Sequence, residues 1–150
     1  MLSSRKTIAI LGSSRSDGHT KKFLDFIIGD KKIKIINLND LNISPFDYKH
    51  KNQDDDFIPL IKELLAHDIF ILATPVYWYT FSAQMKIFID RLSDLITIEK
   101  ELGRKLRGKK SLLVSTGSDL EIAPSLTSSF KQICSYLGVK PVKILYHQTN

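Results

Sequence analysis

Cysteine is almost absent from this chain: Cys134 is the only one in 150 residues. A lone thiol cannot close an internal disulfide, build a cysteine zinc site or hold an iron–sulfur cluster, so a reducing compartment such as the cytoplasm fits. Its neighbours Phe130-Lys131-Gln132-Ile133 have the pattern of an amphipathic helix, which makes it a small core hydrophobe. Long apolar runs are missing too. The strongest, Ile69 to Ala73, is far too short to cross a bilayer, so no membrane partner is expected. The stretch Met1-Leu2-Ser3-Ser4-Arg5-Lys6 has no apolar segment of the secretory kind. No repeat and no low-complexity linker interrupts the sequence, which reads as one domain over residues 1–150.

What remains is an ordinary globular composition, with 43% hydrophobic and 25% charged residues. A chain of this length buries roughly 70% of its unfolded surface. The net charge of +6 favours anionic partners, phosphate cofactors among them. Cations are spread along the chain, with one cluster from Arg104 to Lys110, so charge alone makes no case for nucleic acid.

Five short apolar runs read as strands: Thr7 to Leu11, Lys34 to Asn37, Ile69 to Ala73, Ser111 to Ser115 and Val142 to Tyr146. Runs apolar on both faces suit buried parallel strands. Helical spacing fills the gaps. Phe23, Phe26 and Ile27 mark a first helix that Gly29 ends. A second runs from about Pro59 through Leu60, Leu64 and Leu65. A third, capped by Ser82, puts Met85, Phe88, Ile89, Leu92 and Ile96 on one face. A fourth carries Leu126, Phe130, Ile133 and Leu137 before Gly138. Alternating strands and helices mean right-handed crossovers and an open parallel sheet covered on both faces.

Ligands of such sheets bind beyond the C-terminal strand ends, where strand order reverses. Three loops leave those ends. The first, Gly12-Ser13-Ser14-Arg15-Ser16-Asp17-Gly18-His19-Thr20, leads into the first helix, whose amides form an anion site. Ser13, Ser14, Ser16 and Thr20 add hydroxyls, and Arg15 adds a fork suited to phosphate. A Walker A loop is excluded because five residues separate the glycines and His19 stands in the lysine position. The dinucleotide pattern fails because Ser14 replaces its second glycine. Arg15, His19, Lys21 and Lys22 crowd a helix N-terminus, a conflict that a bound dianionic phosphate would remove, although the two lysines are expected to point into water. The second loop, Thr74-Pro75-Val76-Tyr77-Trp78-Tyr79-Thr80, holds three consecutive aromatics that suit a planar ring, or packing on the third helix or a partner subunit. The third, Thr116-Gly117-Ser118, offers amides and hydroxyls to the polar edge of such a ring.

Together these segments resemble the flavodoxin-like NAD(P)H-dependent FMN reductases. The resemblance rests on Gly-Ser-Ser-Arg-Ser-Asp-Gly-His-Thr at 12–20 and on Thr-Pro-Val-Tyr-Trp-Tyr at 74–79. The second segment continues as Ser-Ala-Gln-Met-Lys-Ile-Phe-Ile-Asp-Arg at 82–91. It implies an α/β fold, a single-domain flavodoxin-like open five-stranded parallel sheet in the order 2-1-3-4-5 with helices on both faces. The usual fifth helix is missing from this sequence. It also implies that Ser13, Arg15, Ser16, Gly18, His19 and Thr20 hold the FMN phosphate. Pro75, Val76, Tyr77 and Trp78 then lie along the isoalloxazine, and Thr116 and Gly117 meet its pyrimidine edge. His19 departs from the asparagine or small polar residue common there, and the cysteine cluster of the related iron–sulfur flavoproteins is lacking.

The activity implied is hydride transfer from NADPH or NADH to the flavin, then electron transfer to a quinone-like, flavin or other small acceptor. The cofactor carries that chemistry, so no catalytic side chain and no metal is named. A homodimer is implied as well. Two other readings stay open: a flavodoxin-type electron carrier, disfavoured by the basic charge, and a flavin-free regulatory domain on the same fold.

Several features are expected to be structural. Asp54-Asp55-Asp56 should cap the second helix, and Arg104 to Lys110 should be a solvated loop. The stretch Leu38 to Lys51 is long enough to be a functional loop near the site. In the last strand Val142, Ile144 and Tyr146 should pack under the fourth helix. Lys143, Leu145 and His147 should face an open or subunit-covered side.

Overall fold

The computed structural model describes Leu2 and residues 6–150; Met1 and residues 3–5 of the N-terminal stretch lie outside the described residues. Five strands form where the apolar runs fall: β1 (Thr7–Leu11), β2 (Lys34–Asn37), β3 (Ile69–Pro75), β4 (Lys110–Gly117) and β5 (Lys140–Gln148). All neighbours are parallel, in the order β2-β1-β3-β4-β5. The chain therefore reverses its direction of growth between β1 and β3, which opens a crevice beyond their C-terminal ends. Every residue of β1 and β3 is buried, as continuous apolar strands between two helical layers must be.

Each sheet face has its own core. Ile8, Ile10, Leu72 and Leu113 pack on one side beneath α2 (Phe57–Leu65), α3 (Ala83–Arg91) and α6 (Pro124–Leu137). On the other side Ala9, Ile71, Ala73 and Val114 pack beneath α1 (His19–Ile28). Among the described residues no helix follows β5.

The helices depart from the sequence pattern in detail. In α1 the buried stripe is Thr20, Leu24 and Ile28, and Phe26 is 81% exposed. Phe23 and Ile27 flank that stripe, while Phe26 lies two positions from both Leu24 and Ile28 and so turns away from it. Gly29, at φ +64°, ends α1 as expected. Helix α2 begins at Phe57, two residues ahead of Pro59. Helix α3 stops at Arg91 and does not reach Ile96. Amides of Leu92 and Ser93 bond back to Ile89 and Asp90, tightening the last turn before the short α4 (Asp94–Thr97) and α5 (Lys100–Arg104).

The end of α3 is fixed by a buried charge network that the sequence did not reveal. Arg91 is fully buried and pairs bidentately with Asp55, Nη1 to Oδ2 at 2.5 Å and Nη2 to Oδ1 at 3.2 Å. Its Nε donates to Asp94 Oδ2 at 3.0 Å, and the guanidinium lies 4.7 Å from the Phe57 ring centre. Burial pushes the Asp55 carboxyl up, but the Arg91 guanidinium and the amides of Ser44 and Phe57 outweigh it and hold it below its ordinary value. The acidic run is thus more than a cap. Asp55 accepts from the Phe57 amide, whereas Asp56 accepts from the Asn42 amide at 2.7 Å. Arg91 also donates to the Ser44 carbonyl, so the long loop after β2 wraps over the end of α3.

Two further expectations are corrected. Residues 104–110 are not simply solvated: Leu106 is buried, and Lys109 Nζ donates to the carbonyls of Leu65 and His67. The five-residue α5 and the backbone bond from Gly108 to Gly138 also tie this stretch down. In β5 a bulge beside Ser111/Leu112 makes Pro141 pair with Ser111 and Lys143 with Leu112, leaving Val142 as the extra residue. Val142 therefore packs with Leu145 on the α1 face, while Ile144 packs on the α6 face. That α1 face is half covered, with Phe23 lying 5.3 Å from His147 between ring centres.

Candidate functional site

The first loop is braced before it reaches α1. Gly12 donates to the Ala73 carbonyl at 2.8 Å and accepts from Ser82 Oγ at 2.5 Å. Ser82 in turn caps α3 by accepting from the Met85 amide at 3.1 Å. A Cβ on residue 12 would stand 2.8 Å from Met85 Cβ, so the approach of α3 requires glycine there. Asn39 Nδ2, from the 3-10 turn after β2, donates to the Ser13 carbonyl, and the Ser13 hydroxyl accepts from the Arg15 amide at 3.4 Å.

Helix α1 then starts with no side-chain cap and no acid in its first turn. The first backbone bond of the helix is Lys22 to Gly18, so the amides ahead of Lys22 have no intrahelical acceptor. Uncapped amides, the positive end of the dipole and nearby Arg15 and His19 give this end of α1 the chemistry to attract an anion. Lys21 does not simply point into water: its Nζ pairs with Asp25 at 2.7 Å, one turn along. Lys22 is exposed.

The second loop leaves β3 through Thr74, whose hydroxyl donates to the Pro75 carbonyl at 2.9 Å and accepts from the Ser82 amide at 3.0 Å. Val76 donates to the Thr116 carbonyl, holding the second and third loops side by side. Tyr77 and Thr80 then exchange both backbone bonds, at 3.0 and 3.2 Å, and the Tyr77 hydroxyl lies 3.2 Å from Ser14 Oγ. The third loop is tied to the end of β5. Thr149 donates to the Gly117 carbonyl at 2.7 Å, and the Tyr146 hydroxyl donates to the Asp119 carbonyl at 2.8 Å. A Cβ on residue 117 would stand 2.8 Å from that hydroxyl. Burial, with the nearby Asp119 charge, raises the Tyr146 phenol above its ordinary value.

Between the loops lies a cleft of about 380 Å³. Ser13, Arg15, Gly18, His19 and Thr20 line it from the first loop and the start of α1, and Pro75, Val76, Tyr77, Thr116 and Gly117 line it beside Ser118 and Thr149. The structure thus brings ten of the twelve residues that the sequence assigns to the cofactor to one cavity. Ser16 does not reach it and is exposed in the first loop. Trp78 does not line it either; it borders an adjoining cavity of about 210 Å³ that shares Val76, Gly117 and Ser118 with the cleft. Thr149 in the cleft and Tyr146 in the adjoining cavity were missed. No local signal marks them, because only the sheet order carries the end of β5 beside the β4 loop.

The family described as NADPH-dependent FMN reductase matches residues 5–147. YwqN of Bacillus subtilis, named as an NAD(P)H-dependent FMN-containing oxidoreductase, is 27% identical over 145 residues, 89% of this chain and 80% of that protein. An FMN-dependent NADH:quinone oxidoreductase of Shewanella denitrificans is 28% identical over 116 residues, 70% of this chain and 55% of that protein. Among solved structures, that of the Trp repressor binding protein from Bacillus subtilis superposes with a TM-score of 0.80 at 23% identity. It covers 97% of this chain and 85% of that one. At that identity the superposition shows the fold alone.

Proposed function

This chain belongs to the NADPH-dependent FMN reductase family, and from that premise we propose that the cleft binds FMN with its phosphate on α1 and its ring between the second and third loops. The cleft fits such a group. At one end the uncapped α1 amides meet Arg15 and two buried hydroxyls, those of Ser13 and Thr20, a donor set for a dianion. Thr20 and Thr116 share one hydrogen bond at 2.8 Å, and two hydroxyls hold two protons, so one donor is left for a ligand. At the other end Pro75, Val76 and Tyr77 offer apolar wall, and Thr116 and Gly117 offer polar backbone.

The protein is an FMN-dependent oxidoreductase that takes its reducing equivalents from NAD(P)H. FMN, when bound, supplies the hydride and electron chemistry. The chain's residues bind and orient it. Arg15 and the α1 amides neutralise the phosphate, and the brace from Ser82 to Gly12 fixes the first loop against α3. The bond from Val76 to Thr116 fixes the two ring-side loops against each other. The acceptor is a small molecule, and a quinone is the class we favour, because the Shewanella relative is named for it. A cytoplasmic location suits an enzyme that draws on the NAD(P)H pool. We further place a homodimer contact on the α3–α4–α6 side, where Ile96 and Tyr136 are 43% and 74% exposed beside half-buried Ile89 and Ile133.

The observation that carries this reading is the uncapped helix N-terminus opening on a cleft walled by the three loops. Titrating the protein with FMN should give saturable binding at one equivalent and a perturbed flavin spectrum. NADPH or NADH oxidation should follow when a quinone is added. Binding without pyridine nucleotide oxidation would make the protein an electron carrier. No binding would leave a flavin-free domain.

A further inference from the structure

The tip of the second loop is built at a cost that FMN binding alone does not explain. Trp78 and Tyr79 are the central residues of the turn closed by Tyr77 and Thr80, and both have positive φ, +48° and +68°. Two left-handed residues in succession are the requirement of a type I′ turn, which asparagine and glycine ordinarily meet. Bulky aromatics there are strained. The side chains gain no core packing in return: Trp78 is 92% exposed and Tyr79 is 63% exposed.

The backbone of this turn is nevertheless held firmly. Besides its own paired bonds, the Tyr79 carbonyl accepts from Ser125 Oγ, in the first turn of α6, at 2.5 Å. Tyr77 is tied to Ser14 across the cleft. A strained, fixed turn that presents two aromatic faces to solvent marks a contact made outside the folded chain.

Its position says which contact. Trp78 and Tyr79 wall the 210 Å³ cavity that adjoins the cleft through Val76, Gly117 and Ser118. Asp119 and Glu121 also line that cavity, so it disfavours a phosphate and suits a flat ring that is neutral or cationic. We propose that Trp78 and Tyr79 form the platform on which the second reactant's planar ring lands beside the flavin: the nicotinamide of the reductant or the ring of a quinone acceptor. This rests on the FMN reading above and moves Trp78 from the cofactor to the reactant.

Steady-state kinetics of FMN-loaded Trp78→Ala and Trp78→Phe, with an FMN titration of each, tests it. Varying NAD(P)H against ferricyanide, a non-planar acceptor, isolates the reductant. Varying menadione at saturating NAD(P)H isolates the quinone. The expected result for Trp78→Ala is a KM at least tenfold higher for NAD(P)H, menadione or both, with FMN affinity within threefold of wild type and Trp78→Phe restoring most of the loss. A rise for only one reactant assigns the platform to it. Unchanged KM values for both, or FMN affinity falling as much as KM rises, would overturn the proposal. Failure of wild-type protein to bind FMN would instead remove the functional reading itself.

Discussion

The Thr20 hydroxyl at the start of α1 lies 2.8 Å from the Thr116 hydroxyl near the end of β4, across 96 positions of sequence and nearly without solvent contact. This bond stitches the α1 end of the cleft to its β4 end. Thr116→Val keeps the shape but strands the Thr20 hydroxyl. An unsatisfied buried hydroxyl costs about 1–3 kcal/mol. Urea unfolding should register a loss in that range, and FMN titration should show weaker binding.

Arg15 is exposed and flanks the uncapped α1 N-terminus. Arg15→Ala should weaken FMN binding by about 1.5–3 kcal/mol, the worth of a hydrogen bond to a charged group, with the lower end favoured by its exposure. Riboflavin has no phosphate and should lose much less. Equal losses for the two ligands would remove Arg15 from the phosphate.

The Arg91 network should make stability fall in acid. The Asp55 carboxyl is held below its ordinary value in the folded chain, so the unfolded chain binds the proton first as pH drops. Its contribution is therefore complete above about pH 4 and is lost as pH falls through the lowered folded value. Asp55→Asn should cost about 3 kcal/mol at neutral pH. Its stability between pH 5 and pH 2 should also be flatter than that of wild type in urea melts.

Gly117 gives a double-mutant test of the third loop. Gly117→Ala would drive a Cβ to 2.8 Å from the Tyr146 hydroxyl and 3.4 Å from Val76 Cβ. Overpacking of this kind costs about 1–3 kcal/mol. Tyr146→Phe removes the opposing oxygen, so the double variant should be more stable than additivity of the two single changes allows.

Cys134 is buried in α6, and burial pushes its thiol up to about 11. Its raised value means that the stabilisation is whole below the unfolded thiol's pKa of about 8.5 and disappears as pH rises through the folded one. Ellman's reagent at pH 8 should find no reactive thiol in folded protein and one per chain after unfolding.

The sequence determined the layers and the location of the ligand end. Continuous apolar runs at Ile8 to Leu11 and Ile69 to Ala73 suit strands buried on both faces, and every residue of both is buried. The first loop stood out as a candidate anion site through composition alone, because Gly18 and the hydroxyls precede a helix with no acid in its first turn. Ser82 was legible as a cap for the same local reason. What needed three dimensions was everything set by partners distant in sequence. Nothing in the residues around Arg91 marks it for burial; its burial depends on Asp55 and Asp94 arriving from two other segments. Val142 changed faces because a single extra residue in β5 reverses the alternation, a register event that side-chain pattern cannot foretell. Thr149 and Tyr146 joined the site only because β5 pairs with β4. The left-handed turn at Trp78 and Tyr79 runs against both residues' own preference, and only the bonds that close it from outside decide it.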